Sequence, residues 1–94
     1  MKNIDVNSKE TQQLVNILKL LAHPIRFSIA VILQKNGTMN VGTIQQTLDL
    51  PQSSVSQHIS KMREAGLVET RREGTKIFYS LQNEVAKKLV KNFL

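Results

Sequence analysis

The sequence contains no cysteine. That single absence excludes disulfides, thiolate metal ligands, a cysteine nucleophile and thiol redox sensing. Histidine is nearly as scarce, with only His23 and His58, which stand 35 positions apart. The longest unbroken apolar run is the five residues Ile29–Leu33, far short of the ~20 that a membrane span requires, so no membrane partner is expected. The opening MKNIDVNSKE has a lysine but no apolar h-region, and the corresponding expectation is a cytoplasmic protein. A phosphate-binding glycine loop, a Ser/His/acid arrangement and a carboxylate cluster are all missing, so neither enzymatic activity nor a cofactor is expected. Acidic residues are few: seven against thirteen Lys and Arg, for a formal net charge of +6. An excess of that sign in a small domain points toward a polyanion, nucleic acid foremost.

What is present is enough for one domain, residues 1–94, without internal repeats, low-complexity segments or a linker. At 40% hydrophobic and 21% charged residues, the composition is globular and too apolar for a disordered chain. A chain this short hides only about 60–65% of the surface it exposes when unfolded, so a partner subunit would help it.

The first seven residues are polar and expected to fray. Ser8–Leu21 then reads as a helix, with Leu14, Ile17, Leu18 and Leu21 at helical spacing. His23-Pro24 ends it, because a residue before proline is driven out of the α region, and Pro24 can open the next helix. That second helix runs to about Lys35 with Ile25, Ile29, Ile32 and Leu33 inward, stopping at Asn36-Gly37. Asn40 is the expected N-cap of a short third helix over Val41–Leu48, with Val41, Ile44 and Leu48 on one face. After Asp49-Leu50-Pro51 comes a fourth helix, about Gln52–Ala65, with Gly66 at its C-cap. The period then changes to two: Leu67–Arg72 and Lys76–Leu81 read as a hairpin around Glu73-Gly74-Thr75. A last helix, Glu84–Leu94, carries Val85, Leu89 and Phe93. The fold class is therefore mainly α with a small β-hairpin, in the order ααααββα.

The fourth helix carries the functional pattern. Val55, Ile59 and Met62 form a narrow apolar seam, and the opposite arc holds Ser53, Gln57, Ser60, Lys61 and Glu64, with Ser54 and His58 on one flank. Four serines fall within eight residues, although serine is a mediocre helix former. One of them is expected to cap the helix start. As a group, short hydroxyls and a glutamine amide suit phosphates and base edges. Two helices joined by about three residues, the second with this face, read as helix-turn-helix. The hairpin that follows carries Arg71, Arg72 and Lys76 and reads as a wing that lies along a phosphate backbone or reaches into a minor groove.

At these residues the sequence resembles the ArsR-type (arsenical-resistance repressor-like) winged helix-turn-helix transcriptional regulators. The matching stretches are LKLLAHPIRFSIAVIL (18–33) and LPQSSVSQHISKMREAGLVETRREGTKIFYSL (50–81), with the short helix between them. The resemblance implies a homodimer that pairs through the first and last helices and sets two recognition helices on an inverted repeat in double-stranded DNA. Leu14, Ile17, Leu18, Leu21, Val85, Leu89 and Phe93 are the dimer candidates, some of which can belong to the core. The DNA-binding set comprises Gln52, Ser53, Ser54, Ser56, Gln57 and His58 toward the major groove. Lys61, Arg63, Arg71, Arg72 and Lys76 are assigned to phosphates.

Many members of that family release DNA on binding a metal, and here this sequence departs from it. The family's cysteine positions on the third helix align with Asn40 and Gly42. The first positions of its last-helix site align with Asn83 and Val85. Neither donor set suits a soft metal or zinc, so no metal site is expected. His23 is expected to be structural with a hydrogen-bonded ring, and His58 to contact DNA or pack locally. Two alternatives stand beside a metal-independent repressor. One is a winged-helix interaction module that heterodimerises with a related repressor; the other keeps DNA binding and adds an effector the sequence does not reveal, an organic ligand or phosphorylation of the serines on the fourth helix.

Overall fold

In the computed structural model, which describes residues 4–94, the chain forms five helices and a three-stranded antiparallel sheet. The helices are α1 (Lys9–Leu21), α2 (Pro24–Asn36), α3 (Val41–Leu48), α4 (Gln52–Glu64) and α5 (Glu84–Lys91). The strands are β1 (Thr38–Asn40), β2 (Val68–Glu73) and β3 (Lys76–Leu81), in the spatial order β1-β3-β2. The expected order ααααββα holds, with β1 as an addition between α2 and α3.

Local chemistry sets the boundaries. Ser8 caps α1 by accepting the Thr11 N–H at 3.1 Å. His23 is extended at φ −148°, ψ 131°, as its place before Pro24 demands, and its Nδ1 accepts the Ile25 N–H at 3.1 Å to cap α2. Asn40 caps α3 through Thr43 N–H at 2.8 Å, and Asn83 caps α5 through Ala86 N–H at 2.9 Å. Gly66, at φ 78°, follows the last turn of α4; the Leu67 N–H returns to the Met62 carbonyl and the Gly66 N–H to that of Arg63. This six-to-one and five-to-two pairing is a Schellman motif.

Three sequence expectations are corrected and one is refined. Of the residues expected to fray, Asp5–Asn7 form a turn, with Ser8 N–H donating to the Asp5 carbonyl and the Thr11 hydroxyl reaching the same oxygen at 2.7 Å, while Ile4 and Val6 stay exposed. Residues 1–3 of that expectation lie outside the described residues. The first hairpin strand begins at Val68, because Leu67 is spent on closing α4 and is fully buried. The last helix ends at Lys91, where the Phe93 and Leu94 N–H groups bond three residues back in a tightened turn. No serine caps α4, whose N-cap is Pro51 with no side-chain hydrogen bond.

The core gathers Ile29, Ala30 and Leu33 of α2 with Ile44, the Val55–Ile59–Met62 seam of α4, and Val68, Leu81, Ala86 and Val90. α2 packs on all four other helices and both β1 and β3, which is why its apolar residues are not confined to one stripe. Among the described residues no polar or charged one is buried, so the side chains of the interior meet by apolar contact. The β2–β3 hairpin is in register from Val68 opposite Leu81 to Glu73 opposite Lys76, and burial falls steadily toward its tip, where Ile77 is exposed.

Candidate nucleic-acid interface

α4 meets the core through Val55, Ile59 and Met62, all at 2% exposure or less. Anchoring on that seam turns Ser53, Gln57, Ser60 and Lys61 outward, and all four are exposed. Ser54, Ser56 and His58 are half-buried on the flanks, and Gln52 and Arg63 are exposed. Ser56 and His58 are two residues, about 200°, apart around the helix, so the two flank opposite sides and the six groove candidates do not share one arc. Without a side-chain cap, the first N–H groups of α4 point out with the positive end of the helix dipole behind them, an environment that favours anions.

The hairpin divides its cations by strand alternation. Arg71 stands opposite Phe78, its guanidinium 5.9 Å from the ring centroid, and pairs with Glu73 at 3.0 Å. Arg72 stands opposite Ile77, on the other face, the one continuous with buried Val68 and Leu81. Among the described residues, Lys61, Arg63, Arg72 and Lys76 have no ion-pair partner. Of the five cations assigned from sequence, four are therefore uncompensated and Arg71 is partly neutralised.

The two histidines, distant in sequence, meet at the junction of α2 and α4. Their ring centroids lie 4.4 Å apart with planes tilted by 42°. Arg26, which the sequence reading passed over, reaches His58 Nδ1 with Nη1 at 3.4 Å, while its Nε–H donates to the Leu20 carbonyl at the end of α1. Partial burial, then the neighbouring His23, Arg26 and Lys61, push the His58 pKa below its ordinary value, since each disfavours a charged ring. The signal that could have found Arg26 is its isolation, a lone cation in the apolar stretch PIRFSIAVIL.

The residues present do not fit a metal. Asn40, at one of the family's ligand positions, spends its Oδ1 on Thr43 N–H and Thr43 Oγ1, and Asn83, at the other, spends its Oδ1 on Ala86 N–H. Both positions are helix caps. Among the described residues no three His, Asp or Glu converge.

The dimer candidates divide by burial. Leu21 is 5% exposed and belongs to the monomer's core, while Leu18 at 49% and Val85 at 37% are open to solvent. Leu14, Ile17 and Leu89 are half-buried. Phe93 is exposed but meets Phe27 of α2 edge to face at 5.2 Å. A groove of about 610 Å³ runs between α1 and α5, lined in part by Leu14, Ile17, Leu20 and Val85.

A helix pair whose second member offers a polar, uncapped face, followed by a basic hairpin, defines a winged helix-turn-helix DNA-binding protein. Residues 21–71 match the family described as a helix-turn-helix domain. The chain is 40% identical over 82 residues to the biofilm growth-associated repressor of Agrobacterium fabrum, covering 87% of this chain and 69% of that protein. It is 43% identical over 75 residues to the transcriptional repressor PagR of Bacillus anthracis, covering 80% of this chain and 75% of PagR. The PagR crystal structure superposes with a TM-score of 0.83 over 90% of this chain and 97% of that one, at 38% identity. HlyU from Vibrio cholerae, described as a transcriptional activator, superposes with a TM-score of 0.86 at 34% identity, covering 92% of each chain. The chain belongs to the ArsR-type winged-helix family of DNA-binding transcriptional regulators and is not an enzyme. Among the described residues, no single helix is long and apolar enough to cross a membrane.

Proposed function

We propose that this regulator is a cytoplasmic repressor that binds an inverted-repeat operator as a homodimer, without a metal switch. The observation that carries the reading is the polar outward face of α4 together with four cations, on α4 and the wing, that have no ion-pair partner among the described residues. Ser53 and Gln57 read base edges in the major groove, with Gln52, Ser54, Ser56 and His58 at its margins. Lys61, Arg63, Arg72 and Lys76 hold phosphates, and Arg71 contributes less because Glu73 competes for it. Repression is favoured over activation by the two relatives at 40% and 43% identity, both named repressors. Homodimerisation is supported by Leu18 and Val85, exposed apolar residues on α1 and α5 beside the groove between those helices.

The test is a fluorescence-anisotropy titration of the purified chain on its own promoter and on a scrambled duplex, at about 50 and about 200 mM salt. Preference for the promoter that persists at the higher salt, with a footprint on an inverted repeat, is the expected result. Equal, salt-labile binding to both duplexes, together with a monomer that pairs only with a related repressor, replaces this reading with the heterodimer module.

A further inference from the structure

Arg26 is half-buried near the start of α2 and its side chain reaches two other helices, α1 and α4. Its Nε–H donates to the Leu20 carbonyl, one of the oxygens that the end of α1 leaves open. Its Nη1 lies 3.4 Å from Nδ1 of His58, on α4. The His58 ring rests against that of His23, whose own Nδ1 is occupied by the Ile25 N–H. One guanidinium thus ties the end of α1 and the start of α2 to the helix that carries the groove-facing side chains.

We propose that Arg26 is a positioning residue for base reading: it sets α4 against α2 and holds His58 as a neutral ring whose donor is Nε2. This rests on the DNA-binding reading given above. A guanidinium has five donors and no acceptor, so the nitrogen it meets must supply a lone pair. The proton of the neutral ring is then on Nε2, where it can donate to a base-edge acceptor such as guanine O6 or N7.

Protonating Nδ1 removes that acceptor and sets an imidazolium against Arg26. Among the described residues the groups acting on His58 are His23 from the α1–α2 junction, Arg26 from α2 and Lys61 from α4, all basic. Burial and these neighbours keep the ring neutral to lower pH than an ordinary histidine. Below that point the imidazolium keeps its Nε2 donor but loses the Arg26 contact and is repelled by that guanidinium, so the ring leaves the position that aims it at a base edge and turns toward phosphate. Acid therefore erodes the preference for the operator while leaving affinity for random DNA level or higher.

The experiment uses the full chain on its footprinted operator and a scrambled duplex across about pH 7.5 to about pH 5.5. It is paired with an NMR titration of the two histidine rings, the only two in the chain. The operator-to-scrambled affinity ratio of the wild type should fall about tenfold over that range, the scale of one lost directional base contact. Arg26→Ala should lose a similar factor already at neutral pH and raise the His58 midpoint. Arg26→Lys keeps the charge but loses the planar fork, so it should lose discrimination with a smaller change in midpoint. His58→Gln replaces the titrating ring with an amide that does not ionise; whatever operator-to-scrambled ratio it sets at neutral pH should stay level down to the acid end, where the wild-type ratio falls. These last two variants decide the matter if Arg26→Ala does not fold. A His58 midpoint that does not move in Arg26→Ala, or wild-type discrimination in both Arg26 variants, overturns the positioning role alone. A wild-type chain that prefers neither duplex at any pH overturns the operator reading and this proposal with it.

Discussion

At position 57 an exposed glutamine faces outward in the second turn of α4, and at position 72 an exposed arginine leaves the wing on the face opposite Arg71. The two are expected to fail differently. Gln57→Ala should narrow the gap between operator and random DNA, because an amide selects bases and a phosphate does not. Arg72→Ala should weaken both and reduce the salt slope by about one ion, whereas Arg71→Ala should do so less, its charge being shared with Glu73. Anisotropy on both duplexes at several salt concentrations checks all three, and equal losses for Gln57→Ala on the two duplexes would remove it as a base reader. Folding stability carries a related prediction at His58. Its folded pKa is depressed, so the unfolded chain binds the extra proton first as pH falls below the ordinary histidine value of about 6.5. The contribution is fully present above that value and is lost as pH drops through the lowered folded pKa. Urea melts should show His58→Gln less acid-sensitive than the wild type between those limits.

The elements were legible wherever a local rule governs their ends. Asn40 makes the cap expected of it, and Ser8, His23 and Asn83, of which no cap was expected, close the starts of α1, α2 and α5 by the same local chemistry. β1 was not legible, since three residues have no period to read, and Thr38–Asn40 is a strand only because β3 lies beside it. The cap expected of a serine in α4 failed for a related reason: Pro51 occupies the N-cap, leaving the serines inside the helix. Gly66 offers the element-scale test. Its φ of 78° is one that alanine resists, while the space around a Cβ there is open, so the cost of Gly66→Ala is confined to the backbone. A loss of about 1 kcal/mol, lowering Tm by about 4–8 °C, should appear by circular dichroism with operator affinity of the folded protein unchanged.

For the whole molecule, the radius of gyration of 14.0 Å exceeds the about 12–13 Å expected of a compact chain of this length. Extents of 46 × 24 × 22 Å describe an elongated body with apolar side chains left on its surface. Leu18 and Leu21 are one turn apart on α1 and indistinguishable by pattern, yet one is half-exposed and the other is core. Leu18→Glu should yield a folded monomer by analytical ultracentrifugation, with operator affinity reduced toward that for random DNA. Leu21→Glu should instead fail to fold, because a carboxylate cannot be buried there without a partner. A Leu18→Glu chain that remains dimeric would move the interface elsewhere.

Sequence pattern was sufficient for the order of the five helices and the hairpin, the Asn40 cap, the apolar seam of α4 and the polar face opposite it. Each of these follows from spacing and local hydrogen-bonding chemistry, which act over a few residues. Packing in three dimensions was needed to settle which apolar residues of α1 are core, which hairpin arginine is compensated, and that His23, Arg26 and His58 form one cluster. Those outcomes depend on α2, α4 and β3 meeting in space, and the contacts that bring residues 26 and 58 together leave no trace in the periodicity of either helix.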